Sequence, residues 1–129
     1  MICDRTERTH FRFDRMKGVL VSALLQSRQV WLPVFDEPLP IGQLSESEFN
    51  EYHLFVAHCE EGEKKPLNLA CREAPMQNKM VFIGPEGDFT REEINMLERL
   101  GATPVSLGST RLRTETAGVA AAVMLVQPV

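Results

Sequence analysis

The stretch Lys79-Met80-Val81-Phe82-Ile83-Gly84-Pro85-Glu86-Gly87-Asp88-Phe89-Thr90-Arg91-Glu92-Glu93 decides the fold. Residues 79–83 are mostly apolar and read as a buried strand. Gly84 to Phe89 carry two glycines and a proline, which mark a loop. Thr90 followed by Glu93 is a capping box, in which a hydroxyl and a carboxylate satisfy amide hydrogens that a helix start leaves free. Ile94, Leu97 and Leu100 then recur on one helical face, and Gly101 supplies a left-handed stop.

The same strand-to-helix step recurs on both sides. Upstream, 52–57 reads as a strand and Leu67–Ala74 as one or two helical turns. Downstream, Pro104–Leu107 reads as a strand with its proline as the first strand residue. Gly108 follows, then a nearly all-apolar helix from about Thr114 to Val126, ended by Pro128. Such a helix is expected to be buried in the core or against a partner. Nearer the start, Met1–Cys3 reads as part of a strand. Phe11–Ser27 reads as a helix with Phe13, Met16, Leu20 and Leu24 on one stripe, capped by Thr9 or Asp14. Pro33 makes Val30–Phe35 an edge or a strand end, and Ile41–Phe49 is a candidate short helix. The alternation predicts an α/β fold, with a mainly parallel sheet flanked by helices. At 129 residues without repeats or a linker, one domain is expected.

With 43% hydrophobic and 25% charged residues, the chain is neither a disordered tail nor a membrane protein. No apolar run approaches the ~20 residues that span a bilayer. No basic start leads into an apolar stretch with a cleavage site, so secretion is not expected. The three cysteines, Cys3, Cys59 and Cys71, have neither disulfide-scaffold density nor metal-ligand spacing. They fit a reducing cytoplasm. Cys59 and Cys71 read as buried, inert thiols, and no metal site is expected. His10, His53 and His58 are assigned no role.

The net charge of −4 argues against a generic nucleic-acid binder, but the charge is uneven. The first 28 residues hold six basic and three acidic side chains, whereas 29–63 hold eight acidic and no basic ones. The G-x-G-x-x-G fingerprint, the phosphate loop and the G-x-S-x-G elbow are all absent. Two loops remain as candidate sites. Gly84-Pro85-Glu86-Gly87 is either an ordinary turn or a place where a ligand approaches the backbone. In Leu107–Thr116, either Arg113 and Glu115 form a plain surface pair, or Arg111 or Arg113 makes an anion or nucleotide contact near a helix start.

Both loops resemble signatures of the small-subunit ribosomal RNA uridine-N3 methyltransferases, which belong to the knotted class of S-adenosylmethionine enzymes. Ile83-Gly84-Pro85-Glu86-Gly87 is similar to their cofactor loop. Leu107-Gly108 with Leu112-Arg113-Thr114-Glu115-Thr116-Ala117 is similar to their C-terminal signature. Gln26-Ser27, Leu32-Pro33, Glu7-Arg8 and Arg15 resemble upstream segments, so the likeness covers almost the whole chain. Asp88 stands where the family usually has a second glycine.

The resemblance implies an α/β domain with a C-terminal trefoil knot, which sequence physics alone would not predict because knots are rare. It implies S-adenosylmethionine as cofactor, a homodimer, and small-subunit ribosomal RNA as partner, with no DNA and no membrane. Gly84, Pro85, Glu86, Gly87, Leu107, Gly108, Leu112 and Thr116 are the implied cofactor residues. Arg113, Glu115 and Glu86 are the implied catalytic ones, and Arg8, Arg15, Arg28 and Arg111 the RNA contacts. Residues 1–129 would form the catalytic domain, incomplete at its N-terminal edge and without the family's N-terminal RNA-binding barrel. Weak activity of this piece alone is therefore expected. Two other readings are a non-catalytic cofactor- or partner-binding module and a knotted methyltransferase acting on another RNA.

Overall fold

A computed structural model describes residues 1–75 and 78–126. In chain order it contains helix α1 (Phe13–Ser27), two short 3-10 turns, strands β1 (Tyr52–Ala57) and β2 (Lys65–Pro66), and helix α2 (Leu67–Glu73). Strand β3 (Asn78–Ile83), helix α3 (Arg91–Arg99), strand β4 (Thr103–Ser106) and helix α4 (Thr114–Val126) follow. The strands form one sheet in the order β2-β4-β1-β3, and each described pairing is parallel. Strand β1 runs in register with β3 from Tyr52–Asn78 to Ala57–Ile83 and meets β4 from Phe55 to Ala57. The carboxyl ends of these three strands therefore share one edge of the sheet, the edge where open α/β sheets bind ligands.

Alternation along β1 divides the core. Leu54 and Val56 pack with Phe82, Phe89, Ile94 and Leu97 on the face covered by α3. Phe55 packs with Leu67, Cys71, Val105 and Ala121 on the face covered by α2 and α4. The capping box of α3 forms as the sequence predicts: Glu93 N–H donates to Thr90 Oγ1 at 3.2 Å, and Thr90 N–H donates to Glu93 Oε2 at 2.9 Å. Glu93 is nonetheless buried, because its other oxygen accepts the Asp4 N–H at 2.7 Å and ties the N-terminal segment to α3. Gly101 follows α3 at φ +94°.

Several expectations are corrected. Met1–Cys3 is not a strand; it makes one parallel bridge, Ile2 to Pro40. Pro38 and Pro40 lack the N–H groups that a longer ladder needs. Val30–Phe35 forms no strand. Ile41–Phe49 splits into 3-10 turns at Ile41–Gln43 and Glu46–Phe49, the second capped by Ser45 and Glu48. Helix α1 starts at Phe13 after Arg12, with no side-chain cap from Thr9 or Asp14. Pro104 is the second residue of β4, not the first. It is tolerated because β2 joins β4 only from Val105 onward, leaving a single neighbour at Pro104. Pro128 lies outside the described residues.

Apolar surface is left uncovered on two helices. Helix α1 buries none of its stripe. Helix α4 buries Ala117 and Ala121, while Val119, Val123 and Val126 are exposed.

Candidate functional site

The loops leaving β1, β3 and β4 meet at the shared edge and enclose a cavity of about 310 Å³. Ala57, His58 and Cys59 come from the first loop, Gly84, Pro85, Glu86 and Asp88 from the second. The third supplies the run from Leu107 to Leu112, and α4 adds Thr114 and Ala117. The lining mixes apolar side chains with backbone and hydroxyl groups, as small-molecule sites generally do.

The loop after β3 is a tight turn in which Asp88 N–H donates to the Pro85 carbonyl at 2.9 Å. Asp88 itself sits at φ +62°, a left-handed conformation that aspartate tolerates better than most residues. Its Oδ1 accepts Phe89 N–H at 2.9 Å and its Oδ2 accepts Cys59 N–H at 2.8 Å. Gly84 is required beneath that carboxylate, since a Cβ there would lie 2.9 Å from Asp88 Oδ1 and 3.1 Å from Phe89 N. Gly87 faces Arg5 in the same way, at 2.9 Å from its Cβ, while Arg5 donates to the Gly87 carbonyl at 3.1 Å. The atoms that crowd these two glycines are thus the protein's own. Thr114 Oγ1 donates to the Gly84 carbonyl at 3.0 Å, joining the second loop to the start of α4.

His58 stands in the cavity wall with both ring nitrogens buried and without a hydrogen-bond partner among the described residues. Burial pushes its imidazole below the ordinary histidine range, helped by the Lys64 ammonium and opposed by Asp88, Glu60 and Glu98. The Lys64 ammonium donates to the His58 carbonyl at 2.8 Å. The cysteines correct the sequence reading in part. Cys71 is buried, and burial raises its thiol pKa. Cys59 is exposed, because it lies beyond the end of β1 at the cavity rim. Cys3 is buried, and burial with the nearby Glu93 carboxylate pushes its thiol up to about 11.

Of the residues singled out in the sequence, the cavity brings together Gly84, Pro85, Glu86, Leu107, Gly108, Arg111 and Leu112. Gly87, Arg113, Glu115 and Thr116 lie outside its lining. Arg113 and Glu115 are exposed and form no ion pair among the described residues, where Arg91–Glu60 and Lys65–Glu73 do. Arg8, Arg15 and Arg28 are exposed, Arg28 as the left-handed cap of α1. The sequence gives His58 no part in the cavity, marks Asp88 only as a departure, and places Thr114 only at the start of the last helix and within the C-terminal signature. The available signals were a histidine just past a strand end and a hydroxyl at the start of a helix. Among the described residues no cluster of His, Cys, Asp and Glu forms a metal site, and no helix is long and apolar enough to cross a membrane.

The family model for the RNA methyltransferase domain matches residues 1–126. The chain belongs to this family. Ribosomal RNA small subunit methyltransferase E of Mycobacterium bovis is 32% identical over 111 residues, which are 83% of this chain and 41% of that protein. The chain spans about two-fifths of the length of the curated relatives it matches. The structure of a probable rRNA-methyltransferase from Porphyromonas gingivalis superposes with a TM-score of 0.78 at 29% identity, covering 93% of this chain and 50% of that one. A Legionella pneumophila protein classed as a methyltransferase, solved with bound S-adenosylmethionine, gives 0.73 at 26% identity and covers 95% of this chain and 52% of that one. In this RNA methyltransferase domain, two loops that the sequence presents separately line one cavity.

Proposed function

We propose that this chain is the catalytic part of an enzyme that binds S-adenosylmethionine in the cavity and methylates N3 of a uridine in small-subunit ribosomal RNA. The observation that carries the reading is the convergence of Gly84–Glu86 and Leu107–Leu112 on one cavity at the carboxyl ends of β3 and β4. The names of the matched relatives support the RNA class, and the Legionella structure supports the cofactor.

The residues present fit such a group. Ile83, Leu107 and Leu112 offer apolar surface to a purine, and the backbone of Gly84, Gly108 and Leu112 offers polar groups beside it. When bound, the cofactor supplies a methyl group activated by a sulfonium. The chain's own task is to place N3 of uracil in line with that carbon and to manage the N3 proton. Arg113, exposed and free of an ion pair among the described residues, orients the uracil and stabilises the charge that develops at N3. Glu86, in the cavity lining, is better placed than Glu115 to take up the proton. Arg8, Arg15 and Arg28 contact phosphates, which positions the RNA without reading its sequence.

The same reading includes a trefoil knot, a homodimer and a cytoplasmic location. The knot is carried over from the family that the two loop signatures resemble. Uncovered apolar side chains on α1 and α4, with Trp31 at 84% and Val34 at 88% exposure, support a second copy as the cover. Residues 1–129 are read as the catalytic domain of a longer enzyme. Calorimetric titration with S-adenosylhomocysteine tests the cofactor site, and the expected result is saturable binding well below about 1 mM. A folded protein that gives no heat at that concentration removes the reading. Nucleoside mass spectrometry of small-subunit RNA from cells lacking the gene tests the substrate. Loss of N3-methyluridine is expected; loss of a different nucleoside redirects the chain to another RNA.

A further inference from the structure

Asp88 stitches together two loops that no strand pairing holds. Strands β1 and β3 are in register only to Ala57 and Ile83. Beyond that point each chain turns into the cavity wall. The Asp88 carboxylate bridges the gap, with one oxygen on Cys59 N–H at 2.8 Å and the other on Phe89 N–H at 2.9 Å. Three features converge on this contact. The backbone of Asp88 is at φ +62°, a conformation that costs an ordinary side chain free energy. The carboxylate passes over Gly84 so closely that a Cβ there would be 2.9 Å from Oδ1. Phe89, whose N–H takes one of the two bonds, is fully buried in the core on the α3 face of the sheet. The carboxylate is thus anchored to the core on one side and reaches a surface loop on the other.

We infer that Asp88 is a positioning residue for the cofactor cavity, holding the His58–Cys59 loop at a fixed separation from the Gly84–Glu86 loop. The inference rests on the cavity being the S-adenosylmethionine site. Both carboxylate oxygens are engaged by backbone donors, so the role lies in holding the wall and needs no direct contact with the ligand. Without the carboxylate the Cys59 loop loses its tie to the β3 exit, and the ligand must order that loop on binding.

Two variants test this in the 129-residue chain. Asp88→Gly keeps the backbone conformation without strain and removes both hydrogen bonds. Asp88→Asn tolerates the same backbone and keeps one carbonyl oxygen. Affinity for S-adenosylhomocysteine is measured by calorimetry well below the melting temperature of each variant. Amide hydrogen exchange is followed at Cys59 and at Val56, which lies within β1. Asp88→Gly is expected to weaken binding by about tenfold, the scale of one or two lost hydrogen bonds. It should speed exchange at Cys59 and leave Val56 protected, and Asp88→Asn should recover part of the affinity. Wild-type affinity in Asp88→Gly overturns the inference while the cofactor reading stands. Equal loss of protection at Cys59 and Val56 also overturns it, because the effect is then general destabilisation. A folded wild-type protein that does not bind removes the cofactor reading, and the inference with it.

Discussion

The hydroxyl of Thr114 donates a 3.0 Å hydrogen bond to the carbonyl oxygen of Gly84, thirty residues away. It fixes the first residue of α4 to the exit of β3. With Asp88 holding Cys59 to the same exit, the three loops of the cavity wall are linked in series by side chain-to-backbone bonds. A parallel sheet leaves its strand ends unpaired, so the wall of such a site has to be joined by contacts of this kind.

Thr114→Val removes the donor while keeping the shape of the side chain. The Gly84 carbonyl, part of a buried residue, then loses this partner, and the expected loss of stability is about 1 kcal/mol. Affinity for S-adenosylhomocysteine should fall in parallel, whereas Thr114→Ser, which keeps the hydroxyl, should retain most of both. Thermal denaturation and calorimetry check the two effects. Unchanged stability and affinity in Thr114→Val would show that the bond holds nothing.

The elements around the site were legible because their signals are local. The Thr90–Glu93 box, the apolar run before Gly84 and the start of α4 each follow from a few adjacent residues. The cross-links were not legible, since Asp88 meets Cys59 at a separation of 29 residues and Glu93 meets Asp4 at 89. No periodicity carries such information. Helix α1 illustrates the other limit. Its stripe of Phe13, Met16, Leu20 and Leu24 announces an apolar face, yet it buries no residue within this chain. A pattern tells that a face must be covered and leaves open what covers it.

His58 makes stability depend on pH in a definite direction. Burial disfavours its charged form, so its folded-state pKa is below the ordinary 6.5. The unfolded chain then binds more protons in the interval between the two values, and stability rises with pH across it. Stability should be complete above about pH 6.5 and should decline as pH falls below it, levelling off once the folded-state value is passed. Lys64 strengthens the effect, and Asp88, Glu60 and Glu98 moderate it. Urea denaturation of the wild type and His58→Gln between pH 8 and 5 provides the comparison. The difference between their stabilities should change below pH 6.5 in the direction that favours the variant. A difference independent of pH would remove His58 as the titrating group.

Arg111 and Arg113 stand two positions apart and should fail in different ways. Arg111, for which the resemblance implies an RNA contact, lines the cavity and is therefore also within reach of the cofactor, and Arg113 does not line it. The backbone of Arg113 is already committed to α4, its carbonyl accepting Ala117 N–H at 2.8 Å, while its guanidinium is exposed and makes no ion pair among the described residues. A side chain so placed is available to a substrate that approaches from outside the cavity. Arg113→Ala should therefore lower turnover of a full-length enzyme carrying this domain by about 10²-fold, the scale of losing one transition-state donor, with cofactor affinity nearly unchanged. Arg111→Ala should weaken cofactor affinity and raise the apparent KM for the cofactor, with a smaller effect on kcat. Single-turnover methylation of small-subunit RNA at saturating cofactor, beside calorimetric titration of each variant, separates the two. Loss of cofactor binding in Arg113→Ala equal to that in Arg111→Ala would make both arginines organisers of the same loop, and the assignment of Arg113 to the uracil would fall.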